Sequence, residues 1–216
     1  MGYGTAVILS GGSGSRMGGV DKGLLAIAGK GLAERLFDAL SPHFGEVLVS
    51  TNRPEAYGRL EAACVRDRFP GRGPLAGIHA ALKATASDWV FVIACDMPAF
   101  SPGYAVRMRE AIDAAERRGE RPLACVTRSG PHVEPFHAFY SRGLLEPLGR
   151  VLAASADGAG GGTGGLSIAG FLSRHEILRV PKAEARAFTP DWGLFSNLNT
   201  PEDLERRLGV AVAGSP

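Results

Sequence analysis

The chain has 216 residues, 45% hydrophobic and 21% charged, the composition of a soluble globular protein with enough sequence for one domain and a sizeable core. A formal net charge of +2 gives no bulk electrostatic case for a nucleic-acid or membrane partner. Cys64, Cys95 and Cys125 are widely spaced with no CxxC pair, which favours buried, reduced thiols over a disulfide framework or a thiolate metal site.

Met1 to Gly4 lead straight into the first predicted strand, Thr5–Ser10. No apolar stretch reaches transmembrane length, so a cytoplasmic location is expected. After that strand comes a glycine loop, 11–19, with Arg16 inside it and Lys22 just beyond. A helical stripe of apolar residues predicts a helix over Leu32–Leu40, followed by a strand at Glu46–Thr51. A helix is read at Leu75–Ala86 and a strand at Trp89–Cys95, apolar enough to be buried on both faces. Tyr104–Arg117 reads as a helix, Leu123–Thr127 and Pro135–Tyr140 as strands, and Leu144–Ala154 as a helix. The glycine run 158–165 reads as a flexible surface connection, since without a cation or a following lysine it has little to hold a phosphate with, and a mobile lid is a further reading. Pro201–Leu208 is a terminal helix capped by Thr200, and the tail 209–216 is expected to be disordered. Strands alternating with helices predict a single α/β domain built on a doubly wound, mostly parallel sheet flanked by helices, with ligands at the strands' carboxyl ends.

The glycine loop stands at such an end. Glycines let backbone N–H groups approach phosphate oxygens, and Arg16 and Lys22 supply charge. A dinucleotide fingerprint starting at Gly12 and Gly14 would need glycine where Met17 stands. A P-loop would need Gly-Lys-Ser/Thr, yet Lys22 lies between Asp21 and Gly23. Asp96 follows the buried strand in Ala94-Cys95-Asp96-Met97-Pro98. There it reads either as a turn aspartate or as a metal ligand beside a triphosphate. Gly73-Pro74-Leu75-Ala76-Gly77 opens a helix whose first N–H groups can face a ligand, or simply begins one.

With these segments on view, the chain resembles the molybdenum cofactor guanylyltransferase family from about Thr5 to Leu208. The resemblance rests on Arg16-Met17-Gly18-Gly19-Val20-Asp21-Lys22, Cys95-Asp96-Met97-Pro98, Asp67 with Gly73-Pro74-Leu75-Ala76-Gly77, and Ser196-Asn197-Leu198-Asn199-Thr200-Pro201-Glu202-Asp203-Leu204. It implies a Rossmann-like nucleotide-diphospho-sugar-transferase fold. It further implies Mg²⁺-dependent transfer of GMP from GTP to the phosphate of molybdopterin, releasing pyrophosphate. On this reading Arg16 and Lys22 hold phosphates and Asp96 binds Mg²⁺. Leu9, Ser10, Gly11, Gly12, Ser50, Asn52, Asp67 and Gly77 border the nucleotide. Glu134, Asn197 and Asn199 are candidate contacts to the acceptor or to the metal's water shell, while Glu134 with His132 and His137 makes no complete metal site. Ser50 stands where relatives often carry asparagine, and Ser10 where alanine is more usual. Contacts with a molybdoenzyme or a cofactor-delivery protein are implied as well. The alternatives are a sibling enzyme that uses CTP or another phosphorylated acceptor, and an idle binding protein. The second would be marked by loss of Arg16, Lys22 or Asp96, and all three are present.

Overall fold

The computed structural model describes residues 4–10, 22–27, 29–156, 167–198 and 203. Its strands in chain order are β1 (Thr5–Leu9), β2 (Ala26–Ile27), β3 (Lys30–Gly31), β4 (Glu46–Ser50), β5 (Ala63–Val65), β6 (Trp89–Ala94), β7 (Ala124–Ser129), β8 (His132–Ser141) and β9 (Ile177–Pro181). The helices are α1 (Leu32–Leu40), α2 (Pro74–Ala84), α3 (Pro102–Arg117), α4 (Leu145–Ala156), α5 (Ile168–Leu172) and α6 (Lys182–Ala185). The small pair β2–β3 stands apart, and the other seven strands form one sheet in the order β5-β4-β1-β6-β8-β7-β9.

Every residue of β1 and β6 is buried, as their unbroken apolar runs require, because helices cover both faces of the sheet. Side chains alternate along β1. Ala6 and Ile8 join a core with α1 and α3, whereas Val7 and Leu9 join one with α2, α4 and α5. β1 pairs in parallel with β4 on one side and β6 on the other. β8 alone in this sheet runs against its neighbours, antiparallel to both β6 and β7. The chain therefore leaves β1 outward through β4 and β5, then returns to β6 on the far side. That reversal puts the topological switch point between β1 and β6, where open α/β sheets take their ligands.

The predicted α/β sheet is present, with α1 at its predicted bounds and the other shared elements shifted by a few residues. β8 starts at His132, ahead of the predicted Pro135, because it forms a hairpin with β7. That hairpin is bulged: Cys125 faces Phe139 while Thr127 faces Glu134, and His137 inside the bulge has φ 51°. α3 is capped by Ser101, whose hydroxyl accepts from the Tyr104 N–H at 3.3 Å. The glycine run 158–165, the tail 209–216 and the expected helix Pro201–Leu208, apart from helical Asp203, lie outside the described residues. No helix among the described residues is long and apolar enough to cross a membrane.

Candidate active site

β4, β1 and β6 end level with one another, since Leu9 lies opposite both Ser50 and Ala94. Backbone hydrogen bonds carry this alignment past the strand ends. The Ser10 N–H donates to the Ser50 carbonyl (2.8 Å), and the Cys95 N–H donates to the Leu9 carbonyl (3.1 Å). Asp96 follows at once, half-buried on a turn closed by the Met97 N–H and the Ala94 carbonyl (3.0 Å). A second segment meets it there: the Leu198 N–H donates to the Asp96 carbonyl at 2.7 Å, which brings exposed Asn197 to the same edge.

The nucleoside candidates collect beside these groups. The Thr51 N–H donates to the Val65 carbonyl (2.9 Å), joining the ends of β4 and β5. Asn52 and Asp67 then hold one another: the Asp67 N–H donates to Asn52 Oδ1 (3.2 Å), and Asn52 Nδ2 donates to Asp67 Oδ2 (3.4 Å). The remaining oxygen, Asp67 Oδ1, is buried with no hydrogen-bond partner among the described residues. Burial pushes the Asp67 carboxyl above its ordinary range, with the Asn52 and Ser50 side chains opposing the rise. A half-buried carboxylate at this edge can accept from donors such as the N–H groups of a base or a ribose hydroxyl.

Leu9, Ser10 and Gly77 shape this edge from below. Leu9 is core, and Ser10 is 1% exposed with its hydroxyl 2.5 Å from the Tyr57 hydroxyl. Gly77 is buried in α2, where a Cβ would lie 2.8 Å from Ser50 Oγ and 3.0 Å from Leu9 Cδ2. The missing side chain lets α2 pack onto the ends of β1 and β4. Gly23 is pressed in the same way against the Ser10 and Tyr57 hydroxyls. This contact sets the turn Lys22–Leu24, and so the Lys22 backbone, beside the end of β1. The Lys22 side chain and Gly11, Gly12, Arg16 and Asn199 lie outside the described residues.

Because β8 runs antiparallel, its first residues reach this same edge of the sheet. Burial pushes the half-buried Glu134 carboxyl upward, and the charges of Lys182 and His132 oppose the rise. Lys182 Nζ sits 4.2 Å from the centre of the Trp192 ring and donates to Ser129 Oγ at 3.2 Å. His137 belongs to the core instead. It is 1% exposed between Phe91 and Phe195, and its Nε2 is unpartnered among the described residues. The described residues contain no group of three or more His, Cys, Asp or Glu that could hold a metal. Lys182, Trp192 and Tyr57 are missing from the sequence-based site. The one local signal was a lysine directly after a strand-ending proline, and nothing nearby in sequence marks the other two.

Three comparisons bear on this arrangement. A family model described as the MobA-like NTP transferase domain matches residues 6–164. The chain is 38% identical to a molybdenum cofactor guanylyltransferase of Syntrophotalea carbinolica, over 98% of this chain and 95% of the relative. It is 36% identical to a probable molybdenum cofactor guanylyltransferase of Peptoclostridium acidaminophilum, over 99% and 92% respectively. In shape it is similar to the crystal structure of molybdopterin-guanine dinucleotide biosynthesis protein A from Archaeoglobus fulgidus. That match has a TM-score of 0.75 at 26% identity and covers 94% of this chain and 95% of the other.

Proposed function

The chain belongs to the MobA-like NTP transferase family, alongside the molybdenum cofactor guanylyltransferases, and from that footing we propose that it transfers GMP from GTP to the phosphate of molybdopterin. The observation that carries this reading is that Asp96, the Asn52–Asp67 pair, Ser50 and the Lys22 turn stand along one edge of the sheet, at the carboxyl ends of β6, β5, β4 and β1.

In the proposed reaction an oxygen of the acceptor phosphate attacks the α-phosphorus of GTP. The bond from that phosphorus to the β-phosphate bridging oxygen breaks, and pyrophosphate leaves with its electron pair. The acceptor phosphate is already ionised at neutral pH, so no general base is required. The protein's work is positioning and charge stabilisation. Asp67 and Asn52 orient the nucleoside, with Leu9, Ser10 and Gly77 as the floor beneath it. Arg16 and Lys22 hold the phosphates, and Gly11 and Gly12 border the nucleoside. Glu134 lies on the acceptor side.

The donor chemistry around Asp96 fits Mg²⁺. This ion keeps several waters and is commonly bound through one or two carboxylates plus substrate phosphates, so a full cage of protein ligands is unnecessary. Asp96 would hold it, with Asn197 and Asn199 supporting its water shell. When bound, the ion supplies charge neutralisation for the triphosphate. Contact with a molybdoenzyme or a delivery protein is the corresponding proposal for the product's next step.

Calorimetry with Mg²⁺ and each of GTP, CTP, UTP and ATP tests the proposal. A clear preference for GTP is expected. Preference for CTP would overturn the assignment of the base, and binding of none would overturn the transferase reading.

A further inference from the structure

α2 and α4 pack side by side on one face of the sheet and leave a groove of about 760 Å³ between them. Its charged lining is Arg68, Lys83, Arg142, Arg150 and a single acid, Glu146. Glu146 is matched within α4, where the Arg150 guanidinium pairs with it at 2.9 Å. Arg142 is committed to the backbone, donating to the Thr85 carbonyl at 2.9 Å. Arg68 and Lys83, both exposed, act on the histidine at the base of the groove with the same sign.

That histidine is His79. It is 6% exposed and held edge-on to the Phe69 ring at 5.3 Å, and its Nδ1 is buried with no hydrogen-bond partner among the described residues. Burial and the positive charges of Lys83 and Arg68 push its imidazole below the ordinary range. Across the groove α4 carries Gly149, at which a Cβ would stand 3.3 Å from His79 Nε2. Glycine inside a helix is unfavourable in itself, and here it leaves the imidazole edge open toward α4. An anion with several acceptor oxygens in the groove can pair with both cations and accept from the Nε2 edge that Gly149 leaves open, because arginine can grip two of its oxygens and lysine acts as a point charge.

We propose that the α2–α4 groove is a second anion site, which takes a phosphoryl group against Arg68, Lys83 and His79. It is distinct from the guanylyl-transfer site and does not depend on that assignment. The ligand is either inorganic phosphate or a small phosphate monoester.

Imidazole NMR provides the test, with the His79 signal assigned by its loss in His79→Gln. The full chain is titrated with inorganic phosphate and, separately, with glycerol phosphate, against chloride at equal ionic strength. A saturable shift of the His79 signal is expected, and its titration should move to higher pH as the bound anion favours the charged ring. Groups that bear on this titration are Arg68, Lys83, Arg142, Glu146 and Arg150. Tighter binding of glycerol phosphate identifies a monoester as the ligand, and tighter binding of phosphate identifies the free ion. Lys83→Gln and Arg68→Gln, both at exposed positions, should each weaken binding about tenfold, as loss of a charge-assisted hydrogen bond implies. Asp96→Ala should leave it intact. A His79 response no larger than with chloride overturns the proposal, as does its loss in Asp96→Ala. A response to poly-glutamate but not to phosphate also overturns it and makes the groove a protein-docking face.

Discussion

At the scale of single residues, the candidate site separates groups proposed to touch ligand from groups that hold the edge in shape. Asp96→Ala is expected to abolish turnover while leaving the melting temperature within a few degrees of the parent, measured by product formation and circular dichroism. Asp67 shows the opposite balance. Its carboxyl is raised by burial, so the folded state favours the protonated form, and ionisation at neutral pH costs stability. Asp67→Asn keeps the geometry facing Asn52 but removes that charge. The variant should melt above the parent at pH 7, and the gap should close as pH falls through the carboxylate range. Its affinity for GTP should fall by about tenfold, the usual loss for a charged hydrogen-bonding group. A melt no higher than the parent's at pH 7 would show that the burial cost is negligible.

At the scale of elements, α2 matters most, because it packs onto the ends of β1 and β4 and carries Gly77. A methyl group there would come within 2.8 Å of Ser50 Oγ. Gly77→Ala should therefore destabilise the fold by about 1–3 kcal/mol, the usual range for overpacking, and raise the KM for GTP more than it lowers kcat. Denaturant melts and steady-state kinetics measure the two effects. Legibility in the sequence divides along similar lines. α1 was readable to its ends because its apolar residues keep helical spacing, and β1 and β6 because apolar runs buried on both faces look alike in any context. β5 escaped notice because three residues at a sheet edge, none of them buried, are too few to show alternation, and β9 because Arg179 and Pro181 interrupt its apolar pattern. The site follows the same rule. The place of Asp96 at the sheet edge was legible because it directly follows a buried strand. Lys182 was not, because it meets Ser129 only through the pairing of β9 with β7, and Trp192 was not, because it reaches Lys182 from a turn in which it adopts φ 63°.

At the scale of the whole molecule, the sheet joins distant parts of the chain and buries groups that would rather be in water. His137 is the extreme case, with burial pushing its imidazole down to about 3 against the help of a hydrogen bond to the Leu194 backbone. The sign follows directly. Folded His137 stays neutral where the unfolded chain takes up a proton, so its contribution to stability is complete above the ordinary histidine range near 6.5. It is lost as pH falls from there toward about 3. Stability should drop over that window by about 1.4 kcal/mol per pH unit for this one proton. His137→Asn, which does not titrate and tolerates the left-handed backbone, should flatten the profile in urea melts across pH 4–6. An unchanged slope would assign the acid sensitivity to other groups.

The hydrogen bond from Leu198 to Asp96 also orders events in time. As the chain leaves the ribosome, β1, β4, β5 and β6 emerge first and can pair before the rest is made. The segment that fastens the Asp96 carbonyl arrives only after β7, β8 and β9 have followed. A nascent chain therefore lacks this backbone bond at the edge of the candidate site until Leu198 is free of the tunnel.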